Sequence, residues 1–309
     1  MTHRRSYRIS DLTDYINWMY FFHAWGLPVK YASVARIHAC DACRASWVSS
    51  FETAEQARAR EACHLYTDAQ HMLARLTNYT SVNCTVRLMP CYSDGDDIIL
   101  LRDDDKTATS AESCNIRLPF LRQQQPDSDG YCLCLADYVR PQGDATDTIG
   151  LFATTVHSPK QYTDDYASLL AQTLADRLAE AAAERLHQEV RTTLWGYAPD
   201  ERLTMDELHN EQFQGLRPAV GYPSLPDLSF NFLLAPLLGF EGMGITLTEH
   251  GMMQPHASVS GLMFSLAAAR YFSVGTITDE QLHDYARRRG LPADVLRTYL
   301  AANLQQNNS

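Results

Sequence analysis

From residue 84 to residue 156 the chain offers strand after strand with no helix between them. CTVRLMP (84–90) and DIILLR (97–102) flank YSDGDD, a glycine-containing turn, and read as a hairpin. Further strand candidates follow at 112–117, 131–139 and 148–156. Parallel neighbours need a crossover of a dozen or more residues, usually a helix. None is available here, so the spacing predicts a mainly antiparallel, twisted sheet with helices gathered before and after it.

The flanking helices carry their own signals. SDLTDYINWMYFFHAWG (10–26) reads as a helix capped by Ser10, with Ile16, Tyr20 and Trp25 roughly on one face. In 53–78, Thr53 and Gln56 fit a capping box, and Ala62, Leu65, Tyr66, Ala69, Met72, Leu73 and Leu76 make one apolar stripe. A long helix over about 162–193 places Tyr166, Leu170, Leu174, Leu178, Ala182 and Leu186 on one side. Thr204 and Glu207 cap a shorter helix, 204–213. GITLTE (244–249) and RYFSVGTI (270–277) look like strands. Thr278 and Gln281 start a helix that Gly290 ends, and Pro292 opens the last one, before a frayed tail, LQQNNS. With no internal repeat and no low-complexity linker, 1–309 reads as a single α+β domain.

Composition excludes some functions. Lys plus Arg is 26 against 37 Asp plus Glu, a net charge of −11, which argues against nucleic acid and anionic membrane as partners. There is no membrane-length apolar run and no secretory leader, so the expected location is cytoplasmic. Eight cysteines in a chain this long, without a leader, read as free thiols, several of them buried in strands. His38, Cys40 and Cys43 in HACDAC hint at a metal, but no second CxxC follows at zinc-finger spacing, and no metal site is expected.

The chemistry gathers in GLRPAVGYP (215–223). Pro218 and Pro223 restrict the backbone, Gly221 permits a positive φ or a close approach, and Tyr222 adds a ring and a hydroxyl. An arginine held in so stiff a loop, Arg217, suits bidentate capture of a carboxylate.

These residues carry a resemblance. An arginine followed after a three-residue gap by Gly-Tyr-Pro stands here as Arg217, Gly221, Tyr222 and Pro223. YINW (15–18), LRQQ (121–124), CLADYV (134–139), LADRLAEAAAERLHQEVR (174–191), WGYAPDERLTMDELHNEQFQGLRPAVGYP (195–223), PHASVSG (255–261) and DYARRRG (284–290) match in order. Along nearly its whole length the chain resembles the activation domain of cobalamin-dependent methionine synthase. The resemblance implies a C-shaped α+β domain that binds S-adenosylmethionine and presents it to cobalamin. Methyl transfer then restores methylcobalamin from the inactive cob(II) state, with an electron from flavodoxin or another reductase. It further implies that Arg217 holds the methionyl carboxylate, with backbone near Ala219, and that Glu180, Tyr271 and Phe272 occupy other binding positions. No catalytic side chain of its own is implied, so whether the chain counts as an enzyme is left open.

Position 17 departs from the pattern. The family has an aspartate there that contacts S-adenosylmethionine; Asn17 keeps the size and one acceptor but loses the charge. The tracts 38–47 and 230–245 also differ, the second being more apolar. The homocysteine, folate and cobalamin modules of the complete enzyme are not in this sequence. The leading expectation is therefore a reactivation subunit of a split methionine synthase, acting on a separate cobalamin-binding chain or another corrinoid protein. Two alternatives stand beside it. One is a module that binds S-adenosylmethionine without methyl transfer. The other is a corrinoid-docking partner that no longer binds the nucleotide, with 230–245 as its interface.

Overall fold

A computed structural model describes residues 1–101, 115–143, 145–158, 162 and 164–304. Its centre is a six-stranded sheet in which every pairing is antiparallel. The strands are β1 (Thr2–Tyr7), β2 (Ser81–Asp94), β3 (Asp97–Leu100), β4 (Ile116–Pro119), β5 (Asp147–His157) and, after two short strands, β8 (Ser258–Met263). The order is β4-β3-β2-β5-β8, with β1 also paired to β2. β2 and β5 stay in register from Ser81↔His157 to Cys91↔Asp147. Strands β6 (Thr246–Leu247) and β7 (Met253–Gln254) form a separate ribbon.

Strand alternation decides which core each residue enters. On β5, Phe152 joins a cluster with Val82, Val86 and the long helix, while its neighbours Leu151 and Ala153 join a second cluster on the other face. The 230–245 tract supplies Phe230, Leu234, Leu238, Phe240 and Ile245 to that second core, although Phe232 is exposed. Most of the tract's apolar side chains are therefore spent on this core, which argues against reading the whole tract as a docking surface.

Helices α1 (Trp18–Ala24), α2 (Asp41–Ser49), α3 (Gln56–Leu76) and α4 (Asp165–Glu189) precede or follow the strands, and α5 (Met205–His209), α6 (Asn231–Leu238), α7 (Asp279–Arg289) and α8 (Ala293–Tyr299) come later. α4 lies on the sheet through small residues: Ala179, Ala181, Ala182 and Ala183 are buried. They allow so close an approach that the Thr154 hydroxyl of β5 donates to the Ala179 carbonyl at 3.0 Å. α4 ends in a π-helical turn, Val190–Leu194, which carries Arg191 inward to full burial.

Several sequence expectations need correction. The segment 10–26 is two 3-10 turns followed by α1, because Asn17 caps that helix with its side chain, accepting the Met19 N–H at 3.1 Å. Tyr20 is exposed instead of sharing a buried face with Ile16. Thr53 does not cap α3; Glu55 is its N-cap, and the Gln56 amide donates to the Phe51 carbonyl. Residues 131–139 contain a 3-10 turn, Leu135–Tyr138, braced by the Arg122–Asp137 ion pair. Tyr166 stands exposed at the start of α4. Residues 270–277 form no strand; their backbone is taken up by loop contacts described below. The proposed strand 112–117 lies partly, and the tail 305–309 wholly, outside the described residues. The caps at Thr204, Thr278 and Gly290 stand as read. Among the described residues no helix is long and apolar enough to cross a membrane.

Candidate functional site

The stiff loop is laminated onto β8. Leu216 and Phe264 exchange backbone hydrogen bonds at 3.0 and 2.9 Å, Val220 N–H donates to Ser260, and Leu262 N–H to Pro218. This pairing requires Gly261, where a Cβ would stand 2.2 Å from the Pro218 carbonyl oxygen. Gly221, at φ +88°, turns the chain back, and a Cβ there would meet Leu228 at 2.9 Å. Gly221 does not line the cavity; its contribution is backbone shape.

The other end of the loop holds down residues 271–274. Val274 N–H donates to the Pro223 carbonyl at 2.9 Å, the Ser224 hydroxyl to the Phe272 carbonyl, and Arg217 N–H to the Tyr271 hydroxyl at 3.3 Å. Tyr271 and Phe272 thus enter the site as a strap tied to the Arg217 loop.

Between loop, strap, α4 and the N-cap of α1 lies a cleft of about 600 Å³, within the size range of small-molecule sites. Arg217, Ala219, Tyr222, Glu180, Tyr271, Phe272 and Asn17 all line it, residues that span 17 to 272 in the sequence. Arg217 Nη2 donates to Glu184 Oε2 at 2.8 Å, and its guanidinium lies over the Phe152 ring at 5.8 Å. Burial works against the Arg217 charge, but Glu184, Tyr271 and Glu180 outweigh it and hold the group protonated, above its ordinary value. Arg217 Nε and Glu184 Oε1 are buried and have no partner among the described residues. The Tyr222 hydroxyl donates to Glu180 Oε1 at 2.7 Å, and burial followed by Glu180 keeps that phenol from ionising. Burial pushes Tyr271 up to about 12.

The sequence reading missed Glu184 and Glu211. Glu184 follows Glu180 by four residues, so helical spacing alone places both on one face of α4. Glu211 had no such signal. It is the single non-glycine residue with a positive φ, +56°, among the described residues, and it lines the cleft. Burial raises its carboxyl above the usual range, against the opposing pull of Arg217. A non-glycine residue held in this region at a cleft is a recurrent mark of functional sites. Tyr15 and Tyr20 add aromatic walls. Three acids and several aromatic faces around the anchored Arg217 guanidinium, with Arg177 also on the wall, suit a ligand that carries both a carboxylate and positive charge.

Residues 8–290 match the family model for the vitamin B12 dependent methionine synthase activation domain. The chain belongs to that family. It is also similar to a solved structure described as the MetH reactivation domain bound to AdoHcy. Identity is 34%, the match covers 99% of this chain and 91% of that one, and the TM-score is 0.84. The family fold is therefore present, a mainly antiparallel curled sheet with flanking helices in the C-shaped α+β arrangement.

Proposed function

We propose that this activation domain binds S-adenosylmethionine in the Arg217 cleft and presents its methyl group to cobalamin held by a separate protein, acting as one domain over 1–309 and as the reactivation subunit of a split methionine synthase. The observation that carries the reading is the buried, half-paired Arg217: one guanidinium edge is held by Glu184, and Nε is left without a partner beside the cleft. The similar domain bound to AdoHcy supports the ligand class.

On this reading Arg217 grips the methionyl carboxylate, while Glu180, Glu184 and Glu211 meet the ammonium, the ribose hydroxyls or the sulfonium. Tyr271, neutral at physiological pH, offers a ring face and a hydroxyl. Asn17 places an uncharged amide where the family has a carboxylate. The residues bind and orient the donor and exclude water; none forms a bond to the methyl group, so proximity and alignment are the chain's contribution. The corrinoid, reduced by flavodoxin or another reductase, supplies the nucleophile that takes the methyl group. The sequence contains no DxHxxG corrinoid-ligand motif, so on this reading the cobalamin is held outside these residues. Half-exposed Tyr222 and exposed His256 share a smaller hollow of about 190 Å³ beside the main cleft, and this rim is the surface we assign to that partner. The cytoplasm is the compartment that fits such partners.

The test has two arms. Calorimetric titration with S-adenosylmethionine is expected to show saturable binding that Arg217→Ala weakens; absence of binding removes the reading and leaves a corrinoid-docking role. Conversion of cob(II)alamin to methylcobalamin on a cobalamin-loaded partner, with reductant and S-adenosylmethionine, is expected to depend on this chain. Binding without acceleration would make the protein a module that holds S-adenosylmethionine without methyl transfer.

A further inference from the structure

In HACDAC (38–43) the chain enters α2. Cys40 is the N-cap residue, with extended backbone, and its Sγ accepts the Cys43 N–H at 3.4 Å. Cys40 and Cys43 therefore sit one turn apart at the start of the helix. His38 folds back over the same turn, its Nδ1 accepting the Cys40 N–H at 3.3 Å. One ligand atom from each of the three side chains then lies within 4.8 Å of the other two. Among the described residues no other His, Cys, Asp or Glu set of three comes together in this way.

We propose that His38, Cys40 and Cys43 form a three-ligand site for a soft transition-metal ion of the zinc type, with water in the fourth tetrahedral position. A tetrahedral zinc with Zn–S near 2.3 Å and Zn–N near 2.0 Å sets its donors roughly 3.5–3.8 Å apart, so side-chain shifts on the order of 1 Å close this cluster on an ion. Two thiolates and an imidazole suit zinc and its thiophilic neighbours and reject magnesium and calcium. His38 is exposed and both cysteines are partly so, which gives an ion access without unfolding. The imidazole lone pair now offered to the Cys40 N–H turns to the ion at the loss of one long hydrogen bond. Sequence spacing argued against a metal because no second CxxC follows; the structure shows that the three residues of HACDAC alone bring their donor atoms together. Just before this turn, Arg36 pairs with Asp206 of α5 at 2.6 Å, and Leu208 and His209 of that helix line the main cleft. A bound ion would stiffen the turn next to that brace.

The reduced full chain is titrated with zinc(II) against a chromophoric chelator, and with cobalt(II) as an optical reporter. One equivalent of zinc is expected, with a thiolate-to-cobalt charge-transfer band and the spectrum of a tetrahedral ion. Cys40→Ser and Cys43→Ser should each weaken the thiolate band, and together abolish it. His38→Ala should weaken zinc binding by at least the roughly ten- to hundredfold that loss of an outer-shell partner costs. Cys63→Ser should leave both readouts unchanged. Failure to retain zinc against the chelator, equal binding by Cys40→Ser/Cys43→Ser, cobalt absorption without a thiolate band, or a Cys40–Cys43 disulfide that persists under reductant overturns the proposal. The cobalt spectrum is read on the unaltered chain, so a variant that fails to fold does not blunt the test.

Discussion

Two buried arginine–glutamate pairs flank the C-terminal part of α4 and its π-helical turn, and they do different work. Arg191 meets Glu201 through Nε and Nη2 at 2.7 and 2.8 Å; the side chains are 0% and 6% exposed, and the guanidinium lies 4.2 Å from the centre of the Phe213 ring. Arg217 meets Glu184 through Nη2 alone, and that pair is 11% and 13% exposed along the cleft. Each guanidinium has one buried nitrogen without a partner. That of Arg191 is enclosed with an aromatic face, and that of Arg217 borders a cavity large enough for a nucleoside. The chemical type is the same in both places. What separates a structural pair from a binding group is how many bonds are already made and what adjoins the remaining edge.

The largest effect should come from the closed pair. Arg191→Ala leaves Glu201 buried and unpaired, a change that typically costs about 3–5 kcal/mol. Denaturant unfolding should show a loss of unfolding free energy of that size. A shift under about 1 kcal/mol would mean that the pair is not the structural member of the two.

Arg217→Ala should reverse the pattern. Loss of a charge-assisted hydrogen bond of about 1.5–3 kcal/mol lowers S-adenosylmethionine affinity roughly ten- to a hundredfold, with a smaller stability change than Arg191→Ala because Glu184 borders the cleft. Equal destabilisation by the two variants, with ligand affinity unchanged, would break the contrast.

Glu211 sharpens it through pH. Its carboxyl is raised by burial from an ordinary value of 4.5. Between the raised value and 4.5 the native chain binds the proton that the unfolded chain has released, so falling pH through this window favours the folded, ligand-free chain. The same protonation removes a negative charge from the cleft, and affinity for cationic S-adenosylmethionine should fall as pH drops from neutral toward 4.5. Glu211→Gln should flatten that profile; an unaltered profile would assign the titration elsewhere.

Tyr222→Phe removes only the hydroxyl bond to Glu180; because that bond joins two protein groups and not the ligand, affinity should shift by no more than roughly tenfold. The smallest change is expected from Asn17→Asp. Aspartate caps α1 as well as asparagine does, so stability should hold. The added charge should tighten S-adenosylmethionine modestly at low salt and less at high salt. No gain at low salt would show that the cap already commits this side chain.

Much of the fold was open to reading because its signals are local. Apolar stripes on α3 and α4, the hairpin around Gly95, and the caps at Thr204 and Thr278 depend on residues within a turn or two of each other. Errors fell where a long-range contact overrode local preference. Residues 270–277 have strand-forming side chains, yet their backbone bonds go to Pro223, Ser224 and the segment near Asn303. Asn17 breaks a helix that the aromatic pattern had joined. In the site, the prolines and glycines bracketing Arg217 marked it from sequence, and Glu180 came with the family resemblance.

The sequence by itself determined an antiparallel sheet, its flanking helices, the family and a stiff loop built around one arginine. Periodicity, capping and turn chemistry are properties of neighbouring residues, and a family motif is a string. Only the tertiary structure decided that Arg217 pairs with Glu184, thirty-three residues away, and leaves one edge beside a cleft. The same holds for the Tyr271 hydroxyl under the Arg217 backbone and for Glu211 brought to the cleft wall. A side chain's charge, partners and accessibility depend on what the packed chain brings against it, and those neighbours come from segments that carry no local record of one another.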